Sequence, residues 1–208
     1  MTDFNPCSEL HEIVQRQRRT RMTEQFREIP ADGIYFFFEN KEDGHGGERI
    51  TQIGGHTGAG KLAARLAEHL RPNKDRSILR KNIGRALLNR DKDPFLDLWN
   101  LDLTTRAQRA NNAHRVAKSK LEEVEDQVSK HIAESFSSVV LGCASLNDAL
   151  RLKKLSIGSV SQCSTCSPSQ NWLGTFSPKE KIRRSGLWQE IGLFKAPLQP
   201  QDFDGLRK

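Results

Sequence analysis

Three side chains that can handle a phosphate group recur at helical spacing in one short segment. Lys61, Arg65 and His69 stand four residues apart, so they share one face of a predicted helix. His56 lies in the glycine-rich turn before this helix, and an imidazole can exchange a proton near neutral pH. Such a set can neutralise a phosphate and transfer a proton. The alternative is a solvated polar helix face, which shows the same spacing.

A strand hairpin must support this segment. Residues 34–39 are short and rich in aromatic side chains, which is typical of a strand, and residues 49–53 are typical of its partner. Residues 40–48 between them contain three glycines and several charges. We therefore expect an antiparallel hairpin with a long exposed connection.

Helices are predicted on both sides of the hairpin. Residues 8–28 are polar and helix-prone. A leucine at every fourth position predicts a helix over 61–70, which Pro72 ends, and a similar apolar stripe predicts another over 77–88. Residues 104–131 are typical of a long polar helix, continuous or broken.

The second half of the chain adds one strand and one more helix. Residues 137–141 are typical of a buried strand, and Ser145 followed by Asp148 has the spacing of a helix cap. The helix that begins there is expected to end near Ser161. This order predicts an α+β fold, with a small antiparallel or mixed sheet of about three strands flanked by helices.

Three segments are expected along the 208 residues. They are an N-terminal helical extension over 1–25, a core over 26–162 with a helical insertion at about 92–132, and a tail over 163–208 packed on the core. Trp172 and Trp188 are the expected anchors of the tail.

The charge of the chain favours a polyanionic partner. The formal net charge is +7, and residues 61–90 carry nine basic residues against two acidic ones. This density suits DNA phosphates, although two solvated helices would also be basic. The residues we expect to contact DNA are Lys61, Arg76, Arg80, Lys81 and Arg85.

The chain shows no sign of a membrane-spanning or secreted protein. Its longest apolar run, residues 137–144, is too short to cross a bilayer. Charged residues follow Met1 without an apolar region, so a cytoplasmic location is expected. The oligomeric state is left open.

Residues 55–61 match the G-x-x-x-x-G-K core of a nucleotide-binding phosphate loop, between a strand and a helix. The next residue is Leu62, so the hydroxyl that would hold Mg²⁺ is missing. The chain also has too few strands for the alternating sheet of such a domain. A nucleotide-binding protein is therefore the less favoured alternative.

An ordered set of motifs resembles the GIY-YIG nuclease family. Gly33-Ile34-Tyr35 opens the first strand, Gln52-Ile53-Gly54 closes the second, and Arg65 and His69 follow on the helix. Parts of the helix over 77–88 and of the tail are also similar to one branch of these proteins, so the resemblance covers roughly residues 26–190.

The resemblance implies hydrolysis of a DNA phosphodiester with one divalent metal, Mg²⁺ or Mn²⁺. Tyr35 corresponds to the tyrosine that lines the site. Arg65 would neutralise charge on the phosphate, and His69 would bind phosphate or assist proton transfer.

Two positions depart from the family pattern. Gln52 replaces the tyrosine that activates water, and His56, four residues on, is the expected substitute base. Lys153 stands where the family has a metal-binding glutamate, and Asp148 lies one turn too early to replace it. An ammonium group cannot bind Mg²⁺. The chain is therefore expected to be an active or silenced endonuclease, or else a non-catalytic DNA-binding module on the same fold.

The cysteines are expected to be reduced thiols. Cys163 and Cys166 form a lone C-x-x-C pair, and a zinc site needs two more ligands. Only Cys143 and distant histidines are available from the sequence. We therefore do not predict a zinc site.

Overall fold

The computed structural model describes residues 4–24, 26 and 28–207, which form helices on both sides of a single sheet. The helices are α1 (Pro6–Gln15), α2 (Leu62–Leu70), α3 (Ile78–Arg90), α4 (Phe95–Trp99), α5 (Arg106–Asn112), α6 (Lys118–Ser135), α7 (Leu146–Ser161) and α8 (Glu180–Ser185). The strands are β1 (Thr20–Arg21), β2 (Gly33–Gly44), β3 (Gly47–Gly55) and β4 (Phe136–Gly142). Short 3-10 helices span Ala113–Arg115, Leu173–Phe176 and Pro200–Gly205.

The strands of the described residues are antiparallel and lie in the order β1-β4-β2-β3. The predicted α+β class is confirmed. The expected three strands omitted β1, whose two residues pair with Ser137 and Ser138 on β4. The predicted helical segment 8–28 is longer than the helix in the structure. Helix α1 ends at Gln15, and the chain then enters the sheet as β1.

The hairpin is longer than predicted, because much of 40–48 is strand. Gly44 pairs with Gly47, so the turn consists of His45 and Gly46, both with positive φ, 51° and 78°. Glu42 was expected in an exposed connection but is buried. Its carboxylate accepts a hydrogen bond from Nη2 of Arg49 at 2.8 Å, so its charge is paired inside the protein.

Strand β2 sends alternate side chains into two separate cores. Ile34, Phe36 and Phe38 pack with residues of α1 and α7 on one face of the sheet. Tyr35 and Phe37 pack with residues of α2, α3 and α6 on the other face. The sheet is therefore a central layer buried on both sides, which explains the dense aromatic run.

The tail is held to the hairpin through a buried carboxylate. Glu39 Oε2 accepts hydrogen bonds from Nε1 of Trp172 and Nε1 of Trp188, both at 2.8 Å. Two donors to one ionised oxygen satisfy the buried charge. Residues of α1 and of the tail share the core of the hairpin. The segment boundaries near 25 and 162 remain predictions.

The predicted start of α7 is found in the structure. Ser145 Oγ accepts the backbone N–H of Asp148 at 3.1 Å and donates to its carboxylate at 2.8 Å. The polar stretch 104–131 is broken, because a 3-10 turn separates α5 from α6. Of the helices described, none combines the length and apolar character needed to cross a bilayer.

Candidate active site

Tyr35 is positioned by glycines on two neighbouring strands. It pairs with Gly54 across the hairpin, and a Cβ on Gly54 would lie 2.1 Å from Cζ of the tyrosine ring. A Cβ on Gly33 would lie 2.2 Å from the carbonyl oxygen of Leu141 on β4. Any side chain at either glycine would push the ring or the strand aside. Gly54 is therefore explained by close packing against the Tyr35 ring, and Gly33 by the close approach of β4.

His69 holds Tyr35 from inside the protein. Its Nε2 lies 2.7 Å from the Tyr35 hydroxyl, and its Nδ1 lies 2.7 Å from Oγ of Ser77, the N-cap of α3. Burial, with the nearby charges of Arg65 and Arg80, lowers the pKa of His69 to about 3. The imidazole is therefore neutral and fully enclosed. It does not line the cleft but lies against Tyr35, and the expected phosphate contact by His69 stays a prediction.

Arg65 lies between the buried tyrosine and the surface. Its Nη1 donates to the Glu68 carboxylate at 2.6 Å and to the carbonyl of Arg76 at 2.7 Å. Burial raises the pKa of Tyr35 to about 12, against the opposing effect of the Arg65 charge. Tyr35 is therefore a neutral phenol beside a fixed guanidinium, an arrangement suited to an anionic oxygen.

A cavity of about 480 Å³ opens over these groups. Its lining comes from the hairpin, α2, α3, α7 and the tail. The lining residues are Tyr35, Gln52, Ile53, Gly54, Gly55, Arg65, Ile78, Lys153, Lys154, Ile157, Gln189, Ile191, Gly192 and Lys195. We call this cavity the cleft.

Two residues of the cleft carry the departures from the family pattern. Gln52 is buried, and its Oε1 has no hydrogen-bond partner. Lys153 lies across from Gly55, where a Cβ would be 3.4 Å from its Cδ. Burial, together with the Arg65 charge, lowers the pKa of Lys153. The amide of Gln52 and the ammonium group of Lys153 thus lie in the same cleft as Arg65 and Tyr35.

His56 lies in an adjoining cavity of about 570 Å³, with Lys61, Arg65 and Glu68. Its Nδ1 is 2.6 Å from the carbonyl oxygen of Gly58, so it donates there. Its Nε2 accepts the backbone N–H of Gly33 at 3.3 Å. Both ring nitrogens hold the turn, so the geometry does not favour His56 as a free base.

The glycine-rich turn does not have the surroundings of a nucleotide-binding loop. The carboxylate of Asp32 accepts the backbone N–H of Gly60 at 2.9 Å, and an acidic group there would repel a phosphate. The sheet next to the turn is antiparallel, whereas such loops belong to parallel sheets. The nucleotide-binding alternative is not supported.

The five expected DNA-contacting residues fall into three groups by burial. Lys61 and Arg76 are exposed. Lys81 is half-buried, and burial, with the Lys74 charge, lowers its pKa. Arg80 and Arg85 are buried, so the expectation that they contact DNA is corrected.

Acidic partners from other elements explain the burial of these two arginines. Arg80 Nε donates to the Glu125 carboxylate on α6 at 2.8 Å. Arg85 Nη1 donates to Glu190 at 3.2 Å and to the side chain of Asn82 at 2.7 Å. These contacts join α3 to α6 and to the tail. Both arginines therefore stabilise the fold.

The residues around the cleft do not fit a Mg²⁺ ion. Of the described residues lining the two cavities, Glu68 is the one carboxylate, and Arg65 already holds it at 2.6 Å. At phosphate-processing sites, Mg²⁺ is held by one or two protein carboxylates, and waters and substrate phosphates complete its shell. Lys153 adds a positive charge to both cavities. No catalytic step through a metal follows from this donor set.

Two cleft residues were not found by sequence reasoning. Gln189 of the tail accepts the backbone N–H of Ile53 through its Oε1 at 3.0 Å, which fixes the end of β3. Lys195 lines the cleft from further along the tail. Neither residue carries a local motif. Only the return of the tail across the sheet brings them to the site.

Residues 4–205 match the protein-family model of the GIY-YIG domain. The match covers nearly all of the chain, including α1, β1 and the tail, beyond the 26–190 of the sequence resemblance. Searches of curated proteins and of solved structures each returned no match.

Proposed function

Because the chain belongs to the GIY-YIG nuclease family, we propose that its cleft binds a DNA phosphodiester and that Lys153 suppresses metal-dependent cleavage there. Nucleases of this family use divalent metals. The observation that carries the proposal is the position of Lys153, which lines the same cleft as Tyr35 and Arg65.

The charges around the cleft support binding of a phosphate. Arg65 and Lys153 present two cations to one cavity, and Lys154 and Lys195 add two more at its exposed rim. A buried or half-buried cation gains more from an anion than an exposed one, because solvent screens it less. Contacts of this kind bind the DNA backbone without selecting a sequence.

The roles of the polar groups follow from their protonation states. Arg65 neutralises the phosphate charge, and Tyr35 remains a phenol at neutral pH, so it donates a hydrogen bond and does not act as a base. The Oε1 of Gln52 is buried without a hydrogen-bond partner, and an amide cannot remove a proton from water. The cleft therefore binds a phosphate without a base or a metal to activate an attacking water molecule.

Substitution of Lys153 tests the proposal. We expect the wild-type chain to bind duplex DNA and to leave plasmid intact with Mg²⁺ or Mn²⁺. Lys153→Glu should weaken DNA binding and introduce nicking that a chelator abolishes, because a carboxylate restores the missing ligand. Gel assays of plasmid relaxation and fluorescence anisotropy measure the two effects.

Lys181→Glu is the matched control, since Lys181 is exposed on α8 and lies outside both cavities. It should leave cleavage unchanged. Strong metal-dependent cleavage by the wild-type chain would show that Lys153 does not block the site. A folded Lys153→Glu variant that binds DNA but never nicks it would also refute the proposed role of Lys153.

A further inference from the structure

A second group of chemically reactive side chains lies at the opposite end of the hairpin from the cleft. Cys7 and His11 stand one turn apart on α1, His45 lies in the β2–β3 turn, and Cys166 belongs to the tail. Their potential ligand atoms all lie within 4.8 Å of one another. Three of the four residues are buried, and His45 is half-buried. We call these four residues the thiol–imidazole cluster.

The distances in the cluster match those between ligands of one tetrahedral ion. Cys166 Sγ lies 3.6 Å from Nε2 of His11, and the ligand atoms of all four residues lie within 4.8 Å of one another. Zn–S bonds near 2.3 Å and Zn–N bonds near 2.0–2.1 Å place neighbouring S and N ligands roughly 3.6 Å apart at tetrahedral angles. The cysteines are free thiols.

The hydrogen bonds of His11 identify the nitrogen that can bind an ion. Nδ1 lies 2.8 Å from the carbonyl oxygen of Cys7 and donates to it. Nε2 therefore carries the lone pair, which accepts the backbone N–H of Ile50 at 3.1 Å, so binding an ion through Nε2 requires that this hydrogen bond break. A ligand histidine whose other N–H donates to a carbonyl is the usual arrangement in metal sites.

The backbone around the cluster is shaped for close approach. A Cβ on Gly44 would lie 2.7 Å from Cys166 Sγ, so only glycine admits the thiol to the end of the strand. His45 has φ of 51°, a left-handed conformation that side chains other than glycine seldom adopt. The two-residue turn thus places the His45 imidazole beside the thiols.

We propose that Cys7, His11, His45 and Cys166 bind one Zn²⁺ ion. Two thiolates and two imidazoles are a ligand set that suits Zn²⁺, and hard ions such as Mg²⁺ prefer oxygen. The ligands fill all four positions and are largely buried, so the ion is structural. It ties α1, the hairpin turn and the tail together, independently of the cleft.

Metal analysis of the full chain tests the site. Protein purified under reducing conditions and loaded with Zn²⁺ should retain about one ion per chain after gel filtration, as a four-ligand site requires. Cys7→Ser and Cys166→Ser should each lower the retained zinc at least about tenfold, because each removes a thiolate ligand. Cys143→Ser should keep it, since Cys143 lies outside the cluster.

Substitution by Co²⁺ keeps the test decisive if a serine variant does not fold. Wild-type protein loaded with Co²⁺ should show thiolate-to-cobalt absorption and the intense visible bands of a tetrahedral site. Zinc-free wild-type protein that unfolds cooperatively, with a stability that added Zn²⁺ does not raise, would overturn the proposal. Cobalt protein without thiolate absorption would overturn it too, as would a Cys143→Ser variant that loses as much zinc as Cys7→Ser.

The identity of the fourth ligand has its own test. Cys163 Sγ lies 3.3 Å from Nε2 of His45, so it is a competing thiol at the rim of the cluster. Cys163→Ser should retain zinc, and His11→Gln should lose it. If Cys163→Ser loses zinc and His11→Gln retains it, then Cys163, rather than His11, completes the ligand set.

Discussion

The two ends of the β2–β3 hairpin bury different kinds of polar chemistry. At the open end, Tyr35 and Arg65 face a cleft with cations and an amide but almost no carboxylate. At the turn end, thiols and imidazoles converge from α1, the turn and the tail. The family is defined by a metal-using nuclease site, yet in this chain the better ligand set lies at the other end. Family motifs therefore locate a cleft without fixing where a metal binds.

Two arginine–glutamate pairs, one at each end, differ in burial. Arg49 and Glu42, near the turn, are 0% and 4% exposed, whereas Arg65 and Glu68, at the cleft, are 27% and 34% exposed. A buried pair leaves an uncompensated charge when one partner is removed, but an exposed pair is screened by water. The first pair should therefore support folding and the second should serve binding.

The largest expected effect separates these two pairs. Arg49→Met should lower the free energy of unfolding by about 3–5 kcal/mol, because Glu42 is left as a buried charge. Arg65→Met should cost less than about 1 kcal/mol of stability. It should weaken DNA binding about tenfold, or ~1.4 kcal/mol. Urea denaturation and DNA titration measure the two quantities. Equal losses of stability would remove the distinction between the ends.

Sequence reasoning found the elements that short-range patterns encode. The aromatic run of β2, the glycines beside Tyr35 and the leucine stripe of α2 were enough to predict the hairpin and its helix. Strand β1 was missed because two residues carry no periodicity, and their pairing depends on β4, more than a hundred residues away.

Site residues were predictable from the sequence only where their partners lie close to them along the chain. Arg65 and Arg80 are both basic residues on helices, and nothing near Arg80 in sequence reveals Glu125, the partner that buries it. The C-x-x-C pair was set aside for want of ligands, since His11 and His45 become its neighbours only when the tail returns to α1 and the turn. Long-range contacts decide both cases.

A further effect is expected in acid, at the open end. The pKa of His69 is about 3 in the folded chain, mainly through burial, against about 6.5 for an unperturbed histidine. The unfolded chain therefore binds one more proton between these values. The stabilisation is complete above pH about 6.5 and is lost as pH falls toward 3, by up to ~1.4 kcal/mol per pH unit.

Unfolding of His69→Gln measured across this range isolates the histidine from the carboxylates that also titrate in acid. The unfolding free energy of this variant should change less steeply with pH than that of the wild-type chain. The difference in slope should correspond to about one bound proton. His114→Gln is the control, because His114 is exposed on the 3-10 turn before α6. Wild-type and His69→Gln curves with the same slope would contradict a neutral, enclosed imidazole behind Tyr35.

The smallest expected effect tests how far the open end extends along the surface. Lys61 is exposed beside the cleft, so its contact with a phosphate would be screened and worth only a few-fold in affinity. Its loss should still release one counterion fewer, so Lys61→Ala should reduce the slope of log affinity against log salt by about 0.9. Lys181→Ala, at an exposed position of α8, should leave the slope of log affinity against log salt unchanged. The slope also counts the phosphate contacts that the whole protein makes. Arg80 is buried in its pair with Glu125, so it adds no such contact. A slope that indicates many more contacts than the exposed cations near the cleft can make would require a second DNA-binding surface away from this end of the hairpin.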